Sequence, residues 1–226
     1  AKAAPAGFRV LNPAWGPRTL SREELAVLSR EDLIALIAEA GTYSSLTIAR
    51  AYRLLSPLAR PIPDCHPLAP HTHSGRACDS PGKVPTLRDW QQFCHREPPD
   101  TEIDRMFTGH GGNIGLAVAD ELLVSDIDPR SSGDIAYDTY AAQHGPFPPT
   151  PHTLTGGGGD HYWFKATGIT RAGGEIDHGF EWKGPGGQVI MAPSWHATGN
   201  RHYAGEIGAA WGEIPFEDAP AAYMAL

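Results

Sequence analysis

The sequence predicts an α+β fold that begins with a helical segment, and three observations support this fold class. Helical periodicity runs through residues 21–55, and apolar strand-like runs begin near residue 113. Most of the 26 glycines and 21 prolines follow residue 55, which favours short strands and loops. A chain of 226 residues suffices for one sizeable domain with a hydrophobic core. We therefore expect an N-terminal helical segment, residues 1–55, and an α+β domain over residues 56–226.

Capping signals place three helices in the N-terminal segment. Ser21 with Glu24, and Ser29 with Asp32, fit capping boxes, in which two side chains satisfy free backbone N–H groups at a helix start. Apolar residues recur behind both serines at helical spacing. Gly41 is expected to end the second helix. The predicted helices cover residues 21–29, 30–40 and 43–55.

After the helical segment, apolar runs bounded by glycine, proline and polar residues predict antiparallel strand pairs and a few helices. The predicted strands cover residues 113–119, 122–128, 161–166 and 188–193. The predicted helices cover residues 86–97, 101–108 and 133–145. Residues 56–86 are rich in proline, histidine and cysteine, and we expect them to form a loop.

Charge and cysteine content limit the function classes. A formal net charge of −8 argues against a dedicated nucleic-acid binder, which is usually basic. It permits an enzyme that contacts nucleic acid along a local strip, expected near Arg171, Lys183 and Arg201. Three cysteines without a signal peptide indicate a reducing, cytoplasmic setting. No apolar run is long enough to span a membrane.

An aspartate pair ends the second predicted strand, in the stretch VSDID. Alternate side chains of an extended chain share a face, so Asp126 and Asp128 should point the same way while Ile127 turns into the core. Two neighbouring carboxylates repel each other unless a cation lies between them, and a hard divalent metal is the usual cation. Taken alone, the pair is equally consistent with a turn cap before Pro129.

Further polar residues lie where other predicted strands begin or end. Four glycines lead into His161, and Glu181 and Lys183 share a face if that segment is extended. Ser194 and His196 follow the last strand. Carboxylates suit Mg²⁺ or Mn²⁺, whereas a glycine-rich loop, histidine, lysine and serine suit a triphosphate. Together these residues predict metal-assisted phosphoryl or nucleotidyl transfer.

In order and spacing, these motifs resemble the primase-polymerase (Prim-Pol) domain of the archaeo-eukaryotic primase superfamily, found in replication proteins of plasmids, phages and mobile elements. The resemblance extends from Cys65 to Ile214, and the ordered combination of its short motifs is specific. The stretches that carry it are NIGLAV, VSDIDP, TGGGGDHYWF and FEWKGPGGQVIMAPSWHATGNRHY.

The resemblance implies a fold, a reaction and partners. The implied fold is an RRM-like catalytic sheet packed against a second αβ unit, with the active site in the cleft between them. The implied reaction is template-dependent nucleotidyl transfer by a DNA primase, a DNA polymerase or both. Single-stranded DNA template, a primer and dNTPs or NTPs are the implied substrates, and a helicase domain in the full-length protein is the expected partner.

The resemblance also assigns roles to individual residues. Asp126, Asp128 and Glu181 are the implied ligands of Mg²⁺ or Mn²⁺, with Glu181 at a position where aspartate is more usual. His161 is implied both in catalysis and in holding the phosphates of the incoming nucleotide. The implied nucleotide-binding residues are Gly159, His161, Lys183, Ser194 and His196.

The stretch CHPLAPHTHSGRAC contains five potential metal ligands and almost no apolar side chains. It cannot fold by burial, and bound Zn²⁺ would order it by coupling metal binding to local folding. Related domains often carry a zinc-binding loop at this place. The alternative is a mobile polar loop. The expected zinc ligands are Cys65, His71, His73 and Cys78, with His66 as a substitute.

Lys83 follows this stretch. It is expected to be a phosphate or template contact, or else a plain surface lysine.

Two other function classes fit part of the pattern. A non-haem metal oxygenase would use His161, His196 and one aspartate, and its imidazole-rich site would prefer Fe²⁺ to Mg²⁺ or Mn²⁺. A catalytically inactive nucleic-acid-binding module is the other alternative. The intact candidate site and the negative net charge argue against such a module.

Overall fold

The structure is a computed structural model that describes residues 11–221 and Tyr223. Within these residues, helices dominate the N-terminal part and short strands dominate the rest, which confirms a mixed α+β fold. A short 3₁₀ helix, Pro129–Ser131, follows the central strand. The α-helices are α1 (Arg22–Ala26), α2 (Arg30–Ala38), α3 (Ser45–Leu55), α4 (Gln92–His95), α5 (Asp100–Phe107) and α6 (Gly133–His144).

Both predicted capping boxes form. The Ser21 hydroxyl accepts the Glu24 N–H at 3.2 Å, and the Glu24 carboxylate accepts the Ser21 N–H at 2.7 Å. Ser29 and Asp32 make the same pair of bonds at the start of α2. Helix α1 is shorter than predicted because Ser29 is the N-cap of the next helix and has extended backbone angles.

Short strands make up most of the remaining regular structure. Several of them fall between the predicted strands, in segments whose apolar alternation is weak. The strands are β1 (Pro61–Pro63), β2 (Thr72–His73), β3 (Arg76–Ala77), β4 (Ile114–Ala117), β5 (Leu122–Ile127), β6 (His152–Leu154), β7 (Asp160–Lys165), β8 (Gly173–Asp177), β9 (Phe180–Lys183), β10 (Gln188–Ile190), β11 (Trp195–His196), β12 (Arg201–His202), β13 (Ala204–Gly205) and β14 (Glu217–Asp218).

The larger sheet has seven strands, and β5 lies near its centre. Its order is β13-β6-β7-β5-β9-β8 with antiparallel neighbours, and β14 pairs in parallel with β7. The predicted strands 122–128 and 161–166 are therefore direct neighbours, as β5 and β7. Strand β9, which carries Glu181 and Lys183, pairs with the other edge of β5.

A smaller antiparallel sheet, in the order β1-β4-β10, packs beside the larger one. Strand β1 lies inside the segment that the sequence predicts to be a loop. Its two prolines flank Ile62 and argue against a strand, because proline has no N–H to donate. Since β1 is an edge strand that pairs only with β4, its missing donors are tolerated.

The larger sheet separates two hydrophobic cores. Val124 and Trp163 contribute to the larger core, which also contains side chains of helices α1–α5 and of the smaller sheet. Leu123, Phe164 and Phe180 pack in the other core with side chains of α6. Side chains alternate along a strand, so Asp126 lies on the same face of the sheet as Val124 but beyond the edge of the large core. The residues paired with Asp126 on β7 and β9 lie on that face too. Those positions carry the polar residues of the candidate site.

Candidate functional site

Three side chains named from the sequence form a row across adjacent strands. Asp126 of β5 is paired directly with His161 of β7 on one side and with Glu181 of β9 on the other. Directly paired residues of neighbouring strands point to the same face, so the three side chains lie together. We call His161, Asp126 and Glu181 the polar row. Its flanking neighbour Ile127 is buried in the opposite core, as predicted.

Asp126 lies at the centre of the row and is ionised. Its Oδ1 lies 3.5 Å from Nε2 of His161, whose side chain is buried. Burial raises the pKa of the Asp126 carboxyl, but His161, Lys183 and Lys83 outweigh burial and lower it below its ordinary value. The carboxylate thus carries a negative charge beside two lysines, and the ionised state is the one that metal ligation requires.

Asp128 lies just beyond the end of β5 and is held by Arg130. The Arg130 guanidinium donates to both carboxylate oxygens, at 2.9 and 2.8 Å, and the Arg130 N–H adds a third bond of 3.0 Å. These bonds lower the pKa of Asp128. Arg130 is not among the residues expected from the sequence, although an Asp-Pro-Arg order favours a turn in which the aspartate accepts the N–H two residues on.

Glu181 and Lys183 form an ion pair along the edge of the row. They are two residues apart on β9 and point to the same face, as predicted, and the Lys183 ammonium contacts the Glu181 carboxylate. Both side chains keep partial contact with solvent. The pair therefore remains available for exchange with a ligand, unlike the buried His161.

Basic side chains surround the row although the chain as a whole is acidic. Lys83 lies near Asp126, Asp128 and Lys183, and partial desolvation together with Arg130 lowers its pKa. Arg201 lies against the glycine-rich loop, near Gly158. The charges that converge here come from four separate segments of a chain with net charge −8. Such local concentration of cations around carboxylates suits a polyanion that brings its own metal ions. The cations are Lys83, Arg130, Lys183 and Arg201.

His196 and Tyr203 complete the site beside His161. The His196 side chain is buried, and its Nδ1 accepts the Gly199 N–H at 2.8 Å. The Tyr203 ring lies between the two histidines, with ring centroids 6.1 Å from His161 and 5.6 Å from His196. Because Nδ1 of neutral His196 accepts, its proton is on Nε2, which leaves an N–H donor.

His196 gives a prediction about pH. Burial, Lys83 and Arg130 lower its pKa from 6.5 to about 4, so between these values the unfolded chain binds a proton that the folded chain does not. The free energy of unfolding should therefore rise with pH across this window. Urea unfolding at several pH values measures the slope of this free energy against pH. The slope should fall by the equivalent of one bound proton in His196→Gln and should stay unchanged in the exposed control His178→Gln. An unchanged slope in His196→Gln would contradict the buried neutral state.

Two of the four glycines before β7 are needed for packing. A side chain at Gly159 would collide with the Ile127 carbonyl, and one at Gly156 with the His196 side chain. The N–H groups of Gly158 and Gly159 bond to Thr155, at 3.0 and 2.9 Å. Those two amides are therefore not free for a phosphate, and the loop instead brings β7, Arg130 and His196 close together.

Ser194 does not reach the polar row. Its side chain is fully buried, and its hydroxyl accepts the Ile114 N–H at 3.0 Å and approaches the Ile114 carbonyl at 3.3 Å. The residue therefore joins the segment after β10 to β4. The implied phosphate contact does not agree with this placement, because the hydroxyl is already bonded to the backbone.

A second cluster suits a metal ion. Its donor atoms come from Cys65, His71, His73 and Cys78 and all lie within 4.8 Å of one another, and these are the ligands expected from the sequence. The two sulfur atoms are 4.0 Å apart, close to the value of about 3.8 Å for two thiolates on tetrahedral zinc. His66 is not part of the cluster, since its Nδ1 accepts the N–H groups of Leu68 and Ala69.

The atoms around this cluster are arranged for a ligand. His71 Nδ1 bonds to the Ala69 carbonyl at 2.7 Å, which turns Nε2 toward the cluster. The Nε2 atoms of His71 and His73 are buried without hydrogen-bond partners. Cys65 Sγ accepts the Gly82 N–H at 3.1 Å. Two orphaned imidazole nitrogens beside two sulfurs fit a tetrahedral metal ion and fit no partner within the described residues.

The three candidate carboxylates, Asp126, Asp128 and Glu181, are more dispersed. Among residues 11–221 and Tyr223, the Cys65 cluster is the compact metal-ligand group, and neither the three carboxylates nor His161 with His196 and an aspartate forms another. Asp128 and Glu181 are directed at Arg130 and Lys183 instead. A metal-bound nucleotide would have to exchange those two ion pairs for new contacts.

A large cavity lies away from these residues. Its volume is about 760 Å³, and the described residues that line it include Trp15, Leu46, Phe107 and His110 but no carboxylate, lysine or arginine. Transfer chemistry on a charged substrate needs charged groups, so the polar row remains the candidate active site.

Comparison with known protein families shows the family to which the chain belongs. The family described as bifunctional DNA primase/polymerase, N-terminal (Prim-Pol) matches residues 47–222, more than half of the chain. The chain belongs to this Prim-Pol family. The resemblance inferred from the motifs is thereby confirmed. A search of curated proteins finds no match.

Membership of the Prim-Pol family implies a nucleotidyltransferase of the DNA primase/polymerase type that depends on divalent metal. DNA and nucleotides are substrates consistent with it. The matched range begins within α3 and includes the polar row and the Cys65 cluster. None of the described helices is both long and apolar enough to cross a bilayer.

Proposed function

We propose that this Prim-Pol domain joins nucleotides on a single-stranded DNA template, as a primase, a polymerase or both. The observation that carries the proposal is the polar row, which places His161, Asp126 and Glu181 side by side across three strands. The RRM-like description of the catalytic sheet, and the division into a helical segment and a catalytic domain near residue 55, stand as parts of this proposal.

Asp126, Asp128 and Glu181 are the proposed ligands of two Mg²⁺ or Mn²⁺ ions. These ions would lower the pKa of the attacking 3′-hydroxyl and neutralise charge on the leaving pyrophosphate. Asp126 presents an ionised carboxylate in a fixed position, because its strand is paired on both edges. Arg130 and Lys183, which hold the other two carboxylates in this structure, would then be free to contact the phosphates.

The proposed triphosphate contacts are the donors around the row. His161 is held between Asp126 and Tyr203, and neutral His196 offers its Nε2–H. Lys83 and Lys183 supply ammonium groups near Asp126. Charge-assisted bonds of this kind orient the phosphates and stabilise the charge that develops on them. Ser194 is not among these contacts, because its hydroxyl bonds to the backbone of Ile114.

The other two function classes have weaker support. An oxygenase would need a compact two-histidine and one-carboxylate group, and His196 uses its Nδ1 for a backbone bond. A module that only binds nucleic acid would not require an ionised carboxylate at Asp126 beside the buried His161. Family membership favours nucleotidyl transfer over both.

Template, primer and a helicase domain are the proposed partners. Since the net charge is −8, the affinity of this domain for DNA should be weak and salt-sensitive. A neighbouring domain would then supply most of the DNA-binding affinity. The proposed template strip lies near Arg171, Lys183 and Arg201. Bound Zn²⁺ at the Cys65 cluster would fix the loop that leads into Lys83.

The proposed function is tested by nucleotide incorporation. The assay uses single-stranded DNA template, labelled dNTPs or NTPs, and Mg²⁺ or Mn²⁺, with and without a primer. Products whose sequence follows the template are expected. Incorporation without a primer identifies a primase, and incorporation only with one identifies a polymerase. No incorporation with either metal, by protein that binds template, would contradict the proposal.

His161→Ala should act mainly on nucleotide binding. A charge-assisted contact to phosphate contributes about 1.5–3 kcal/mol, so the dissociation constant for a dNTP should rise by about one to two orders of magnitude. Titration calorimetry with a non-hydrolysable dNTP measures it. His178→Ala is the matched control, because that histidine is exposed on the β8–β9 turn. Equal affinities of both variants would remove His161 from the phosphate site.

A further inference from the structure

Asn113, the residue before β4, uses its whole hydrogen-bonding capacity. Its Nδ2 donates to the carbonyls of Gly82, at 3.0 Å, and Trp195, at 2.8 Å. Its Oδ1 accepts the Trp195 N–H and Asn12 Nδ2, both at 3.1 Å. An asparagine amide has two donor hydrogens and two acceptor lone pairs, and all four are engaged here. The side chain is buried, so water does not replace any of these partners.

The partners of Asn113 are the neighbours of two proposed phosphate contacts. Gly82 precedes Lys83, and Trp195 precedes His196. Lys83 is close enough to His196 to help lower the pKa of its imidazole. Gly82 has a positive φ of 80°, and a side chain there would collide with Asn113. The amide thus joins the backbones of two segments that are far apart in sequence.

The N-terminal segment completes this arrangement from outside the matched family range. Asn12 donates to Asn113, Trp15 Nε1 donates to the Gly112 carbonyl, and Ser45 donates to the His110 carbonyl at 2.8 Å. All three donors precede residue 47, where the family match begins. They hold the segment that presents Asn113.

We infer that Asn113 is a positioning residue for the triphosphate site, because it fixes Lys83 and His196 relative to each other, and that Asn12 completes its hydrogen bonds. The inference rests on the proposed function, since it concerns the same phosphate contacts. Asn113 itself does not touch the substrate. It acts through Gly82 and Trp195, and Asn12 links the N-terminal segment to this site.

The test is a double-mutant cycle on nucleotide affinity. A non-hydrolysable dNTP with Mn²⁺ is titrated into wild type, Lys83→Ala, Asn113→Ala and the double variant. Lys83→Ala should weaken binding about tenfold in wild type but less than about twofold in Asn113→Ala. In the Asn113→Ala background Lys83 is no longer held near the phosphates, so it contributes little to binding and its removal changes the affinity little. A purely structural role would leave the two losses equal, and equal losses in folded proteins would overturn the inference.

Asn12→Ala covers the case in which Asn113→Ala does not fold. It removes one of the donors to Asn113 and leaves the other three bonds of that side chain. The factor by which Lys83→Ala weakens nucleotide binding should therefore fall by about twofold in the Asn12→Ala background. An unchanged cost would overturn the inference. If wild type binds no nucleotide, the proposed function fails and the inference fails with it. If wild type binds and Lys83→Ala weakens binding equally in every background, the inference fails alone.

Discussion

Asp126→Asn is expected to abolish nucleotide addition while the fold stays intact. The substitution keeps the size of the side chain and removes the charge that faces His161, Lys83 and Lys183. Loss of a metal-ligating carboxylate should cost about 4 kcal/mol or more of transition-state stabilisation, which is about a thousandfold in rate. Strands β7 and β9 hold this position on both edges, so no neighbouring side chain can take its place.

Single-turnover primer extension measures this loss. Asp138→Asn, on the exposed side of α6, is the matched control and should retain wild-type rates. Circular dichroism and the unfolding midpoint confirm that both variants fold. Asp128→Asn should show a comparable loss and should also release Arg130. Extension near the wild-type rate by folded Asp126→Asn would contradict the metal role of the row.

The second large effect is expected at the Cys65 cluster. Protein purified without an affinity tag should contain about one zinc ion per chain, and the Cys65→Ser, Cys78→Ser double variant should contain almost none. Structural zinc sites in small peptides bind with about 10–16 kcal/mol, and metal binding adds directly to local stability. The unfolding temperature of the double variant should therefore fall by at least about 5 °C.

Cys94→Ala provides the control for this experiment. Cys94 is buried away from the cluster, near the Gly187 carbonyl, so its variant should keep the zinc. Elemental analysis gives the metal content, and a chelator titration gives the affinity. Wild-type protein without zinc, together with an unchanged unfolding temperature in the double variant, would show that the loop needs no metal.

Local patterns predicted four of the strands, β4, β5, β7 and β10, and two of these carry residues of the row. Apolar runs located β5 and β7, and the alternation of side chains placed Ile127 in the core. The capping serines located two helix starts because a cap depends on residues only three apart. The four metal-site residues were also predictable, since the cluster closes within a single short segment.

Long-range contacts were not predictable in the same way. Ser194 has the sequence context of a phosphate contact, yet its hydroxyl bonds to Ile114, which is 80 residues away. The Asn12–Asn113 bond joins segments 101 residues apart, and no local pattern records it. Strand β1 was missed because proline argues against strands, and only the edge position that β1 takes beside β4 removes that objection.

The most direct test of the central claim is to count the Mn²⁺ ions at the polar row. Zinc-loaded protein with a saturating non-hydrolysable dNTP is titrated with Mn²⁺ and followed by electron paramagnetic resonance. The account predicts two spin-coupled ions per chain, roughly 3.5–4 Å apart, and loss of the coupled signal in Asp126→Asn. An identical coupled signal in Asp126→Asn, or no Mn²⁺ beyond that bound by free nucleotide, would contradict the account.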